Sequence, residues 1–158
     1  MRGRLDEEEE PRGPTRASAL RLLGGIYGRA DRAYAAFSCS ASGECCQLAR
    51  TRRPPWLWAP EWMAIAERLR SDGRALPPRR SDGACPFLTE GARCSIYADR
   101  PFGCRTFFCG RAQGPAHHPT AEVVRLSRKI EELSRAVAPD LDAPRPLGDW
   151  LEEHRCGS

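Results

Sequence analysis

The chain contains no asparagine, and Lys129 is the one lysine among its 25 basic residues. We read this bias as the codon usage of a GC-rich genome, so the many arginines need no nucleic-acid partner to explain them. With 25 basic against 21 acidic residues the net charge is +4, and the signs are interleaved rather than gathered into a stripe, which argues against nucleic-acid binding. No apolar run approaches the roughly 18 residues that span a membrane, so no membrane partner is expected. The amino-terminal MRGRLDEEEEPRGP lacks the apolar centre of a signal peptide, and the expected location is cytoplasmic. Phosphate-loop and dinucleotide glycine patterns are absent, as are internal repeats. So is the C-x-x-C pair that commonly presents structural zinc.

What is present is cysteine, eight in all. Cys39, Cys45 and Cys46 lie in SCSASGECC, and Cys85, Cys94, Cys104 and Cys109 lie in CPFLTEGARCSIYADRPFGCRTFFC. Thiols in a reducing compartment stay free to ligate metal rather than pair as disulfides, and soft sulfur selects zinc, copper(I) or iron clusters over magnesium or calcium. Single ligands scattered over several loops suit an iron–sulfur cluster, of the [4Fe–4S] kind, better than zinc, which stays open as the alternative. Adjacent cysteines point different ways, so at Cys45 and Cys46 either one ligates and one packs, or they serve different metals. Arg93, Arg100 and Arg105 flank Cys94 and Cys104, where cations stabilise the negative charge of a thiolate-bound group; Arg100 and Arg105 are the candidate cofactor contacts. No histidine lies within the cysteine region to activate a nucleophile, the adjacent His117 and His118 read as an exposed loop pair, and Cys156 stands apart near the end.

These residues also carry a resemblance. Cys39, Cys45 and Cys46, then Cys85 to Leu88, then Cys94, Ile96 and Tyr97, then Arg100, Pro101, Cys104, Arg105 and Phe107 resemble in order the boxes of the YkgJ-type cysteine-cluster family, C-x-x-C-x-x-C-C, C-x-x-L, C-x-I-Y and R-P-x-x-C-R with an aromatic. The resemblance spans roughly residues 37 to 109 and implies chelation of zinc or iron. Ser42 stands where the family has its second cysteine; a hydroxyl is a poor ligand for such metals, and Cys109 is the expected replacement. Similar boxes occur in proteins of the flagellin lysine methylase type. Two functions follow: a cytoplasmic metal-binding protein in electron transfer or metal handling, working with a protein or redox partner, or a small S-adenosylmethionine-dependent protein-modifying enzyme.

The expected fold is a small α+β domain, mainly helical, with a short β-hairpin and long metal-organised cysteine loops. Residues 1 to 14 read as a disordered acidic tail and 15 to 158 as one domain. A helix capped by Thr15 runs toward Phe37 with a bend at Gly24 and Gly25. Pro60 opens a second helix, Thr120 caps a third, and Leu147, Trp150 and Leu151 dock a short last one. Cys85 to Leu88 and Cys94 to Tyr97 read as the hairpin. Trp56, Trp58 and Trp62 read as one cluster shielding the metal site.

Overall fold

Thr15 opens the first helix: its Oγ1 accepts from the backbone N–H of Ser18 at 3.2 Å and so caps α1, Arg16–Ala33. The structure, a computed structural model, describes residues 13–39, 42–108 and 112–156, with Cys156 as backbone alone. The acidic tail up to residue 12 lies outside it, as do Cys109 and the Cys156 side chain. Helix α1 buries Ala19, Leu23, Ile26, Tyr27 and Ala30 along one stripe. It continues as α-helix through Gly24 and Gly25. The buried stripe on both sides of the two glycines outweighs their helix cost of about 1 kcal/mol each.

After the single turn α2, Leu48–Thr51, come two further long helices, α3, Ala59–Ser71, and α5, Thr120–Val137, which pack against α1 and against each other. Leu126, Ile130 and Leu133 of α5 meet the α1 stripe to form one core. Thr120 is the first residue of α5 rather than its cap; Pro119 holds the cap position and makes no side-chain bond there. The opposite face of α3 builds a second core. There Trp62, Ile65 and Leu69 join Phe87, Leu88, Ile96 and the last helix α6, Leu147–Cys156. Trp62 and Trp150 stack at 5.8 Å between centroids. Helix α3 is thus buried on two sides and is the central element.

The strand pairing is not where the sequence placed it. The two-stranded sheet joins β1, Trp56–Leu57, to β2, Arg145–Pro146, antiparallel, with Trp56 opposite Pro146 and Leu57 opposite Arg145. The expected hairpin between residues 85 and 97 is a single bridge, Leu88 to Cys94. It stops there because Cys85 N–H is drawn to Cys46 O at 2.7 Å and Tyr97–Asp99 winds into a 3-10 turn. The protein is nonetheless the mainly helical small α+β fold expected. The tryptophans do not form one cluster: Trp62 is core, Trp58 packs on the α1–α5 side, and Trp56 is exposed. No helix among the described residues is long and apolar enough to cross a membrane.

Candidate metal centre

Each cysteine is delivered by a local device. After α1, Ser38 exchanges two backbone hydrogen bonds with Gln113, at 2.7 and 3.0 Å, which fixes the chain just before Cys39. Gly43, at φ +70°, lets the backbone turn into the 3-10 turn Glu44–Cys46. A side chain there would bring its Cβ within 2.8 Å of Ala92 O, so this box presses against the loop that carries Cys94. Cys85 is tied to the same box through its bond to Cys46 O, and Cys94 is set by its bridge to Leu88. Cys104 rides on α4, Phe102–Arg105, a single helical turn launched by Pro101.

These devices bring together Cys39, Cys45, Cys46, Cys85, Cys94 and Cys104, which all line one cavity of about 380 Å³. Cys85 is buried, Cys46 and Cys94 are half-buried, and Cys39, Cys45 and Cys104 are exposed. The sulfurs of Cys45 and Cys46 stand 4.0 Å apart. Among the described residues no three His, Cys, Asp or Glu side chains are gathered about a single ion position; the thiols ring a space instead.

Without metal, Cys45, Cys46, Cys94 and Cys104 hold their protons more tightly than an ordinary thiol. The Cys45 thiol is raised by its hydrogen bond with Cys46, then by burial. Cys46 is drawn down by Cys45 but driven up more strongly by its hydrogen bond with Cys85, by burial and by the charges of Cys85 and Cys94, to about 12. Burial raises Cys94, with Arg100 pulling the other way. Cys104 is solvent-accessible at the cavity, yet the protein around its thiol desolvates it, and Cys46, Cys94 and Cys45 add repulsion, so it too is pushed up to about 12. Mutual repulsion of this kind is what a bound cation relieves.

The two arginines diverge. Arg100 lines the cavity, with its guanidinium carbon 3.9 Å from the Tyr97 ring centroid and its Nη1 donating to Tyr97 O at 2.7 Å. Arg105 is not on the cavity lining. It is buried, at 4% exposure, and donates to both Asp31 carboxylate oxygens, at 2.8 and 3.0 Å, and to the carbonyls of Arg100 and Ala98. Its guanidinium also lies 4.0 Å from the Tyr27 ring centroid. Arg105 is a pillar that ties α4 to α1.

Beside it stands an acid whose place behind the cavity no local pattern shows. Glu61 is 2% exposed. Its Oε1 accepts from Tyr27 Oη at 3.1 Å and from the Phe102 N–H at 2.7 Å, and its Oε2 accepts from the Trp58 N–H at 2.9 Å. Burial raises its pKa even though those donors and Arg105 oppose the shift. One carboxylate thus joins α1, the start of α3 and the start of the turn that bears Cys104. Its sequence signal was present but incomplete: an acid in the first turn of α3 reads as a partner of the helix dipole, and nothing local shows that its other oxygen is taken by Tyr27 and Phe102. His118, meanwhile, packs its ring on Phe37 at 4.8 Å and is not on the cavity lining.

Residues 38–124 match the family profile described as "CxxCxxCC: Putative zinc- or iron-chelating domain", more than half of the chain. The chain belongs to the CxxCxxCC family. The donor set fits that description, since six thiols on one cavity are soft ligands for zinc or for iron in a cluster. Ser42, at the second cysteine of the family box, is exposed. No curated protein and no solved structure matches the chain.

Proposed function

We propose that this CxxCxxCC protein holds an iron–sulfur cluster of the [4Fe–4S] class on the cavity thiols, and that it serves electron transfer or metal handling in the cytoplasm with a protein partner. What supports this reading is the spread of the ligands. Six thiols from four separate segments face one cavity of about 380 Å³, without being drawn to a point. A tetrahedral zinc gathers four sulfurs at about 2.3 Å from a single centre, whereas a cluster is wider and accepts sulfur from several directions. When bound, such a cluster supplies a one-electron couple whose potential follows net charge, hydrogen bonding and solvent exposure.

The chain's own residues have defined tasks in this reading. Cys46, Cys85 and Cys94, the more enclosed thiols, and Cys104, held from behind on α4, are the ligand core, with Cys39 and Cys45 of the first box completing the set. Arg100 holds positive charge at the cavity and favours the thiolate of Cys94. Glu61 and Arg105 keep Cys104 in place from behind. The test is the iron, zinc and acid-labile sulfide content of protein purified without oxygen. Iron and sulfide in comparable amounts, with visible charge-transfer absorption, are expected. Colourless protein with stoichiometric zinc and no sulfide overturns the cluster.

A further inference from the structure

The thiols occupy only part of the cavity's lining. Five large hydrophobic side chains are exposed among the described residues, and three of them, Trp56 at 56%, Tyr97 at 57% and Phe107 at 36%, line this same cavity. Trp56 and Phe107 carry no metal donor and Tyr97 no sulfur, so a thiolate-bound metal does not explain them. Exposed aromatic surface concentrated at one cavity marks a place where something else is covered.

Two of those rings carry a cation. Arg53 sits with its guanidinium carbon 5.5 Å from the Phe107 centroid, and Arg100 lies over Tyr97 as described. Both arginines line the cavity. Arg53 makes no ion pair or side-chain hydrogen bond among the described residues. The nearest carboxylate to Arg100, Asp31 at 3.8 Å, already gives both oxygens to Arg105. Arg53, which has no carboxylate partner among the described residues, and beside it Arg100, whose charge is shared with Asp31 and the Cys94 thiol, favour an anion at this cavity. Their backbone is stiff: Pro54 and Pro55 link Arg53 to Trp56, Leu147 N–H is bonded to Pro55 O at 2.9 Å, and Pro101 follows Arg100. At about 380 Å³ the cavity has the size of a small-molecule site, mostly apolar with a few polar groups.

We propose that the ring-and-arginine side of this cavity binds a small flat anion, an aromatic or conjugated carboxylate or phosphate ester. Its plane lies against Trp56, Tyr97 and Phe107, and its charge is met by Arg53 and Arg100, next to the thiols. The assignment extends the proposed function by giving the metal-binding protein a ligand at its metal centre, but it rests on residues that ligate no metal.

The probes are 2-naphthoate, 2-naphthyl phosphate and the neutral 2-naphthylmethanol, titrated calorimetrically into the protein as purified, with metal and sulfide measured on the same sample. One-to-one binding of an anion is expected, with the alcohol weaker by about tenfold or more, the worth of one charge-assisted hydrogen bond. The stronger of the two anions identifies the headgroup. Arg53→Gln, at an exposed side chain with no ion pair or side-chain hydrogen bond to lose, is expected to weaken the anion by about tenfold while leaving the alcohol unchanged. Trp56→Ala is expected to weaken both. Equal binding of anion and alcohol, an Arg53→Gln protein that binds the anion normally, or no binding by about 1 mM each overturns the site. A metal assay that finds zinc without sulfide bears only on the cluster.

Discussion

Glu61 carries more of the architecture than any single cysteine, because one buried carboxylate closes three hydrogen bonds from three elements. Its partners divide unevenly between its two oxygens, and that division predicts how substitutions behave. Glu61→Gln can leave an oxygen facing Tyr27 and Phe102, but its NH2 then opposes the Trp58 N–H, two donors with no acceptor between them. The expected loss is about 1–3 kcal/mol, the range for a buried donor left unsatisfied. Glu61→Ala removes all three acceptors and is expected to lose more. Urea unfolding midpoints measure both; an unchanged midpoint in Glu61→Gln would show that the Trp58 bond contributes nothing. The pairing was invisible to sequence reading because Tyr27, Glu61 and Phe102 are far apart in the chain.

At the scale of elements, the helices depend on the two hydrophobic cores and the cysteine loops depend on one another. Helices α1, α3 and α5 meet through leucine, isoleucine and tyrosine and need no metal to do so. The segment around Gly43 to Cys46 and the loop from Thr89 to Cys94 are held by isolated backbone bonds such as Cys46 N–H to Gly43 O and Thr89 N–H to Arg93 O. Chelation is therefore expected to abolish hydrogen-exchange protection in those loops while leaving it in α1, α3 and α5, because ligand loops without metal have little else to order them. Equal protection of the loops with and without chelator would mean that the cores alone set their shape. The long helices were legible from apolar spacing and from Thr15 and Pro60. The β1–β2 pair was not, since two residues on each side give no period and the partners are some ninety residues apart.

For the whole molecule, the thiols of Cys45, Cys46, Cys94 and Cys104 weigh on the response to alkaline pH. Their raised pKa values mean that the folded, metal-free protein keeps protons which the unfolded chain gives up. That contribution to stability is complete below the ordinary thiol value, roughly 8.5. It is lost as pH climbs toward the folded value of about 12 at Cys46 and Cys104. Metal-free protein kept reduced is thus expected to unfold at progressively lower urea between about pH 8 and about pH 10.5. The metal-loaded protein, whose ligands have already shed their protons, is expected to change little, and its metal affinity to rise over the same interval. Parallel curves for the two forms would remove the thiols as the cause.

The class of chemistry and the long helices were legible in the sequence: clustered thiols select soft metals, and apolar residues at helical spacing form amphipathic helices wherever they lie. The sequence also singled out six of the cavity residues as candidate ligands, because cysteine is chemically distinct in any context. Tertiary structure alone decided what the remaining residues do. Arg100 and Arg105 belong to one motif, yet one lines the cavity and the other is buried against Asp31, and Trp56, Trp58 and Trp62 went to three different environments. The physical reason is that charge pairing, burial and exposure are set by neighbours brought from distant parts of the chain, and those neighbours exist only once it has folded.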